Sequence, residues 1–237
     1  MKLKWKNPFR DLSKFEMGLW LTSFGVVALS FFLSPDQSVM SLLASLVGVT
    51  ALIFVAKGYV FGQVLCVFFS VLYGIVSFRF QYYGEMITYL GMSAPAALAS
   101  VIAWIRNPSG NGVEVKVRKK MGLVVWILVS ALTGAVTLAF YFILGALHTA
   151  NLGFSTLSVA TSFLASALTF LRSPYYALAY AANDLVLIVL WVLAAAQDIA
   201  YLPMIFCFIM FLLNDLYGFF NWQRMKRMQQ MIRRDVV

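Results

Sequence analysis

The sequence predicts an all-helical integral membrane protein with eight transmembrane helices, and three observations carry that prediction. Of the 237 residues, 62% are hydrophobic and only 11% are charged, against about 25% charged in an ordinary soluble domain. The apolar residues gather into eight stretches, each long enough to cross a bilayer core about 30 Å thick as a helix. The basic residues fall on alternate connections between those stretches, which is typical of a multi-pass protein. We therefore predict a single membrane domain over residues 1–237.

The eight predicted spans, numbered one to eight, lie at residues 17–33, 39–56, 59–79, 84–105, 121–147, 153–171, 174–196 and 199–222. Helix is expected for each, because lipid offers no hydrogen-bond partner to the backbone of an open strand. The first span follows a basic N-terminus, as in a signal peptide. Its apolar run is too long for that and lacks a small-residue cleavage site, so a retained helix is predicted.

The segment before span one, residues 1–16, is basic. Trp5, Phe9 and Leu12 share the spacing of one helical face among lysines. That spacing favours a short amphipathic helix on the inner leaflet, and a frayed charged tail is the equal alternative.

The charges orient the chain. With the N-terminus inside, 17 of the 18 Lys and Arg residues fall on the inner side, and only Arg79 falls outside. The outer connections carry Asp36, Glu85 and Asp198. The positive-inside rule therefore predicts cytoplasmic termini, with residues 223–237 as a basic cytoplasmic tail.

The chain resembles itself at a shift of about 112–116 residues. Ala51-Leu52-x-Phe54 precedes Lys57, and Ala167-Leu168-x-Phe170 precedes Arg172. Tyr89-Leu90-Gly91-Met92 likewise matches Tyr201-Leu202-Pro203-Met204. Residues 39–105 and 153–222 are thus predicted to be two three-helix repeats, joined by a connector at 121–147. One extra crossing makes such repeats parallel, so the plan is one N-terminal helix plus a 3+1+3 arrangement.

The candidate site residues of spans seven and eight are polar or aromatic groups within apolar helices. Tyr180, Asn183 and Trp191 share one face of span seven with Asp184 beside them, and Asn214 and Tyr217 share a face of span eight. Polar groups in hydrocarbon are costly, so they face protein or a wet cavity. An Asn amide suits a carboxamide or ribose hydroxyl, and Trp191 suits a flat, cationic ring.

Spans three and four add Gln63, Ser70, Tyr73 and Tyr89 as weaker candidates, because hydroxyl and small residues at this spacing more often serve close helix packing. Packing alternatives also remain for the stronger candidates. Asn183 and Asp184 could tie helices together, Trp191 could be an interfacial anchor, and Asp215 could pair with Lys57 or Arg172.

The second half carries strings that resemble the PnuC family. The strings are Ala182-Asn183-Asp184 with Trp191, Tyr201-Leu202-Pro203-Met204, and Asn214-Asp215-Leu216-Tyr217-Gly218-Phe219-Phe220-Asn221-Trp222; the first half fits through Leu72-Tyr73-Gly74, Tyr82-Tyr83-Gly84-Glu85-Met86 and Trp104. The family is similar in plan to SWEET sugar transporters. One departure is Ala96, which stands eight residues before Trp104 where the second half has Asn214 before Trp222.

The resemblance implies uptake of nicotinamide riboside through the bacterial inner membrane by passive alternating access, with trapping by a cytosolic riboside kinase. Relatives that carry thiamine, riboflavin or deoxynucleosides leave the substrate open, and Asp184 and Asp215 leave proton coupling open. We also expect a homo-oligomer, with a trimer favoured, and no cofactor.

Other function classes find little support. An enzyme needs a nucleophile–base or metal constellation, and the single histidine, His148, falls in an outer loop. No catalytic or metal site is therefore predicted. Cys66 and Cys207 lie in apolar runs as buried thiols. Nucleic-acid binding would require basic residues gathered beside aromatic ones, which is not the pattern here. A structural subunit or receptor remains a minor alternative.

Overall fold

The computed structural model describes residues 7–32, 39–79, 83–110 and 112–234. Its helices are α1 (Lys14–Phe32), α2 (Val39–Ala56), α3 (Val60–Arg79), α4 (Tyr83–Ile87), α5 (Ala94–Ile105), α6 (Leu123–Ala146), α7 (Leu152–Phe170), α8 (Tyr176–Ala195) and α9 (Leu202–Arg234). With α4 and α5 forming one span, eight of the described segments are long and apolar enough to cross a membrane. The prediction of eight membrane helices is confirmed.

The helices form two three-helix units that pack side by side. One unit contains α2, α3 and the α4–α5 span, and the other contains α7, α8 and α9. Between them, α2 packs on α9 and α5 packs on α7. A twofold exchange of the units would convert one of these contacts into the other. The arrangement of the units as parallel repeats stays a prediction. The connector α6 packs mainly on α7, and α1 packs on both α2 and α9.

The first helix of each unit ends in the same left-handed turn. Gly58 has φ +70° and Arg172 has φ +58°. The N–H groups of these residues donate to Val55 O and Thr169 O, each at 2.9 Å, which satisfies carbonyls that a helix end leaves free. Arg172 follows Gly58 by 114 residues, within the shift of the predicted repeat. At Arg172 an L side chain occupies a conformation that glycine adopts at lower cost.

The fourth span is interrupted by a π-helical turn, Thr88–Ser93. Ala94 N–H donates to Tyr89 O, five residues back. Pro95, which follows, has no N–H to donate to an α-helical ladder and its ring disfavours a regular helix at this point. The wider turn re-aims the side chains before it, as π-bulges at functional sites often do.

The N-terminal segment packs into the bundle, contrary to the surface helix suggested by its spacing. Pro8–Asp11 forms a short 3₁₀ turn, and the membrane helix begins at Lys14 instead of residue 17. The ring of Phe9 lies 5.0 Å from Phe54 and 5.5 Å from Trp20. Trp5, the third member of the predicted stripe, lies outside the described residues.

A buried ion pair joins α1 to both units. Glu16 is 4% exposed, and its carboxylate lies 2.9 Å from Lys57 Nζ. The hydroxyl of Tyr217 in α9 donates to the same carboxylate at 2.6 Å. Beside them, the Tyr59 hydroxyl donates to Asp11 at 2.9 Å. Burial first, and then the Asp11 carboxylate, raise the pKa of Tyr59, so this phenol stays protonated.

The last helix extends far beyond its predicted end. At 33 residues α9 is about 50 Å long, and most of the predicted basic tail belongs to it. Its residues after Trp222 are mainly Gln, Arg, Met and Lys, which favour helix. Gln229 there accepts from Val117 N at 3.0 Å and donates to Val115 O at 3.1 Å.

The loop between α5 and α6 is fixed beneath both units. Val115 N donates to Gly58 O at 2.8 Å, and Arg118 N donates to Arg172 O at 3.0 Å. The loop thus bonds to the same left-handed turn in each unit. It closes the end of the bundle where the basic connections gather, which we call the basic end.

Candidate functional site: a cavity between the two three-helix units

A cavity of about 110 Å³ lies between the two units. Its polar wall consists of Gln63, Ser70, Ser93, Ser100, Ser162, Ser166, Thr169, Asn183, Asp184 and Asp215. Its aromatic wall consists of Phe69, Tyr89, Tyr176, Tyr180, Phe208 and Phe211. Ligand sites combine large apolar or aromatic walls with a few placed polar groups, and this cavity has that character.

Two aspartates form the acidic part of the wall. Asp184 in α8 and Asp215 in α9 are 3% and 4% exposed, and their carboxyl groups lie within hydrogen-bonding reach of each other. No donor of the described residues hydrogen-bonds to Asp184 Oδ2, which is buried. No Lys, Arg or His belongs to the cavity wall in the part of the chain that the structure describes. The wall therefore carries acidic groups without a protein cation.

Asn183 combines a packing role with access to the cavity. Its Oδ1 accepts from Thr161 Oγ1 at 3.0 Å and from Ser158 Oγ at 3.3 Å, both in α7. These bonds fix the Asn183 amide and tie α8 to α7, which is the packing role that the sequence left open for this residue. Because Asn183 also lines the cavity, its amide nitrogen is the donor that it can offer to a ligand.

Tyr180 is held in place in a similar way. Its hydroxyl lies 3.0 Å from Ser166 Oγ in α7, and both residues belong to the cavity wall. The Tyr180 ring lies 6.2 Å from that of Tyr176, one helical turn nearer the basic end. These two tyrosines present rigid aromatic edges on which a flat ligand can pack.

Two tryptophans close the bundle at the basic end. Trp104 and Trp222 are both fully buried, and the ring of Tyr176 lies 4.8 Å from that of Trp222. With the α5–α6 loop beneath them, these rings separate the cavity from the basic end.

Six of the ten residues predicted from the sequence line the cavity. They are Gln63, Ser70, Tyr89, Tyr180, Asn183 and Asp184. The structure thus brings these faces of spans three, four and seven to the cavity, and their role in substrate binding stays a prediction.

The other four candidates, Tyr73, Trp191, Asn214 and Tyr217, lie outside the cavity wall. Tyr73 packs behind Tyr89 with ring centroids 4.4 Å apart, and Tyr217 bonds to Glu16. Asn214 donates to Ser23 Oγ at 2.9 Å and to Met210 O at 2.8 Å, so it fastens α9 to α1.

Trp191 lies outside the cavity wall, one helical turn beyond Leu187, which lines the cavity. Its ring lies nearly parallel to Phe208 at 6.5 Å and 5.7 Å from Tyr201. Its indole nitrogen is buried with no hydrogen-bond partner among the described residues. The face of α8 that lines the cavity at Tyr180 continues past the cavity wall, so that Trp191, eleven residues later on the same face, is no longer part of it.

The suggested pairing of Asp215 with Lys57 or Arg172 is wrong. Lys57 binds Glu16, and Arg172 donates to Lys116 O at 3.4 Å. Burial, followed by the nearby charge of Arg118, lowers the pKa of Arg172. Asp215 instead meets Asp184 at the cavity.

Helix α7 contributes a row of hydroxyl groups that was not among the residues predicted from the sequence. Ser158, Ser162, Ser166 and Thr169 lie at i, i+4, i+8 and i+11 on one face of that helix, and all but Ser158 line the cavity. Their shared helical face can be recognised from the sequence by the same spacing that indicated the candidates on span seven. No group of three metal-ligating His, Cys, Asp or Glu side chains occurs within the described part of the chain.

A bundle of eight membrane-spanning helices around a cavity with polar and aromatic walls defines a multi-pass membrane transporter. The model of the nicotinamide mononucleotide transporter family matches residues 38–224. The chain belongs to this family, whose members are transporters and not enzymes, as the sequence predicted.

Two relatives share the name nicotinamide riboside transporter PnuC, which confirms the resemblance to that family. The protein from Neisseria mucosa is 28% identical over 95% of this chain and 88% of its own length. The protein from Haemophilus influenzae is 24% identical over 87% of this chain and 89% of its own length. A crystal structure described as that of the vitamin B3 transporter PnuC matches with a TM-score of 0.78 and 25% identity, over 92% of this chain and 94% of that one.

Proposed function

We propose that this protein carries nicotinamide riboside into the cell through the bacterial inner membrane, with both termini in the cytoplasm. The observation that supports it most is the composition of the cavity wall: tyrosines and phenylalanines, neutral hydrogen-bonding groups and two aspartates. A riboside offers a flat ring for the aromatic wall, with hydroxyl and carboxamide groups for Asn183, Gln63 and the serines. The names of the two relatives support the same ligand.

The unphosphorylated riboside is a better ligand than the mononucleotide of the family's name. A phosphate desolvated in a protein needs charge-assisted hydrogen bonds, usually from Arg or Lys. The described cavity wall offers none, and Asp184 and Asp215 would repel the phosphate. The riboside should therefore bind and the mononucleotide should not.

Carriage by alternating access is part of the proposal. The cavity of about 110 Å³ is smaller than the roughly 300–1,000 Å³ of ligand pockets, so it must widen to admit a riboside. The two three-helix units, which meet at the α2–α9 and α5–α7 contacts, would move as rigid bodies against each other to open the cavity. With equal pH on both sides of the membrane transport is passive, and a cytosolic riboside kinase would retain the product as its phosphate.

Self-association is the last part of the proposal. Only 6% of the membrane-spanning stretch of the connector α6 is buried inside the bundle. Thr133, Thr137 and Tyr141 line an open groove between α6 and α7. Hydroxyl and small residues on a lipid-facing surface favour helix association. The expected state is a homotrimer, which light scattering in detergent can measure.

A binding comparison tests the central proposal. Purified protein is titrated calorimetrically with nicotinamide riboside, its mononucleotide, thiamine and riboflavin. We expect heat of binding from the riboside and none from the mononucleotide. Binding of the mononucleotide alone would overturn the proposal, and preference for thiamine or riboflavin would replace the substrate but keep the transporter.

A further inference from the structure

Among the described residues of the cavity wall, the aspartate pair is the one charged feature. The substrate contacts described above make no use of its charge. Two adjacent carboxyl groups cannot both ionise cheaply in a site without a cation, so such pairs share a proton. Asp184 lines the cavity, and its Oδ2 is buried without a donor among the described residues. This arrangement lacks a positive charge that a ligand could supply.

We propose that the Asp184–Asp215 pair recognises the permanent positive charge of the ligand's heterocycle, and that one proton leaves the pair when the cation binds. The inference rests on the proposed function, because the pyridinium ring of nicotinamide riboside carries such a charge. With the cavity empty, the pair holds one negative charge and one shared proton. With the cation bound, both carboxylates are ionised and the proton has passed to water. No covalent bond to the ligand forms or breaks.

The other titratable groups that face the pair are neutral at physiological pH and cannot replace it. They are Cys66 of α3, Tyr89 of the π-helical turn, Tyr176 and Tyr180 of α8, and Cys207 of α9. The ordinary pKa values of thiols and phenols lie above physiological pH, so these groups keep their protons. The carboxyl pair is thus the group in the described wall that can exchange a proton for a cation.

The pair would also set specificity between heterocycles. A cationic ring gains the attraction of the carboxylates and of the aromatic wall, whereas a neutral ring must leave the shared proton in place. The site should therefore distinguish pyridinium or thiazolium ligands from neutral nucleosides of similar size. Hydrogen bonds to the ribose cannot distinguish nicotinamide riboside from a neutral nucleoside, since both ligands have a ribose.

The test compares nicotinamide riboside with its neutral 1,4-dihydro form, which keeps the ribose and the carboxamide. Calorimetric titration in buffers of different ionisation enthalpy counts the protons released. We expect about one proton for the cationic riboside and none for the dihydro form. Over the range in which the pair holds its proton, the affinity for the cationic form should rise about tenfold per pH unit.

Variants of the wild-type protein separate the charge from the shape of the site. Asp184→Asn and Asp215→Asn should each lower the affinity for the cationic riboside about tenfold or more and abolish proton release. Neither variant should change the affinity for the dihydro form much. Asp198→Asn, outside the cavity wall, is the matched control. The wild-type titration in two buffers decides the question even where a variant fails to fold.

The outcomes distinguish this inference from the function on which it rests. Binding of the cationic riboside without proton release, or equal affinity for both forms at every pH, would overturn the role of the pair and leave the transporter intact. Failure of both forms to bind would overturn the proposed function and this inference with it.

Discussion

The indole rings of Trp104 and Trp222 lie 5.3 Å apart and are inclined at 50° to each other. Each indole nitrogen donates across the interface between the units: Trp104 to Thr169 O at 3.0 Å, and Trp222 to Val55 O at 2.9 Å. The accepting carbonyls are those that close the two left-handed turns. The same contact is thus made twice, once in each direction, at the basic end of the cavity.

Replacing either tryptophan by phenylalanine should destabilise the protein by similar amounts. Trp104→Phe and Trp222→Phe each remove one interfacial hydrogen bond. Each carbonyl keeps its bond from the turn, so the expected loss is about 1 kcal/mol per variant. Thermal unfolding in detergent measures this, with Trp126→Phe as the control. A large loss from one variant and none from the other would show that the two contacts are not equivalent.

The fold was largely predictable because its determinants are local. Apolar runs and loop charges identified eight spans, because each span needs enough apolar residues of its own to cross the bilayer as a helix. The π-helical turn before Pro95 was not predictable in its register, because a proline in a membrane helix permits several adjustments. The continuation of α9 was not predicted because the apolar run stops at Trp222. The residues after it are polar but still favour helix.

The site was predictable only as far as helical faces are. Periodicity selected Asn183 and Asp184, which line the cavity, and also Trp191 on the same helix, which lies outside the cavity wall. Asn214 and Tyr217 were assigned to the cavity because nothing in the sequence shows where α1 packs. Their partners, Ser23 and Glu16, lie on that helix, about 190 to 200 residues away in the chain. Contacts at that separation depend on the tertiary arrangement.

The ion pair of Glu16 and Lys57 should be a strong element of stability. Glu16→Gln leaves the Lys57 ammonium, whose side chain is 14% exposed, without its carboxylate and should cost about 3 kcal/mol. Lys57→Met should cost a similar amount, and the double variant should cost less than the sum. Unfolding of all four proteins gives the coupling energy. Additive losses would mean that the pair contributes little.

Substitutions of Asn183 and Asn214 should have different effects on binding and stability, although both residues were predicted from the sequence to bind substrate. Asn183→Ala should weaken riboside binding by about 1–3 kcal/mol by leaving a desolvated ligand group unpaired. Asn214→Ala should leave affinity unchanged and lower the melting temperature, because it releases Ser23 of α1. Calorimetry and thermal unfolding of both variants provide the comparison, with Asn107→Ala as control. Weaker binding in the Asn214 variant would place that residue in the substrate's path.

The basic end of the bundle predicts the orientation in the membrane. Reporter tags at both termini should be cytoplasmic, and a tag in the connection between α6 and α7, near His148, should be external. Protease protection in membrane vesicles measures this directly. Termini on opposite sides would contradict the eight-span count, and with it the parallel order of the two units.

The last prediction concerns what drives uptake. A passive carrier has one site that is reached from either side, so it brings its ligand only to equilibrium. In liposomes with equal pH on both sides and no membrane potential, labelled riboside should reach equal concentrations inside and outside. Enclosing a riboside kinase with ATP should raise the internal label well above that level, because the phosphorylated product has no cation in the described cavity wall to bind it and cannot return. Protein-free liposomes give the leak rate. Internal accumulation without the kinase would show that a gradient within the system is coupled to transport.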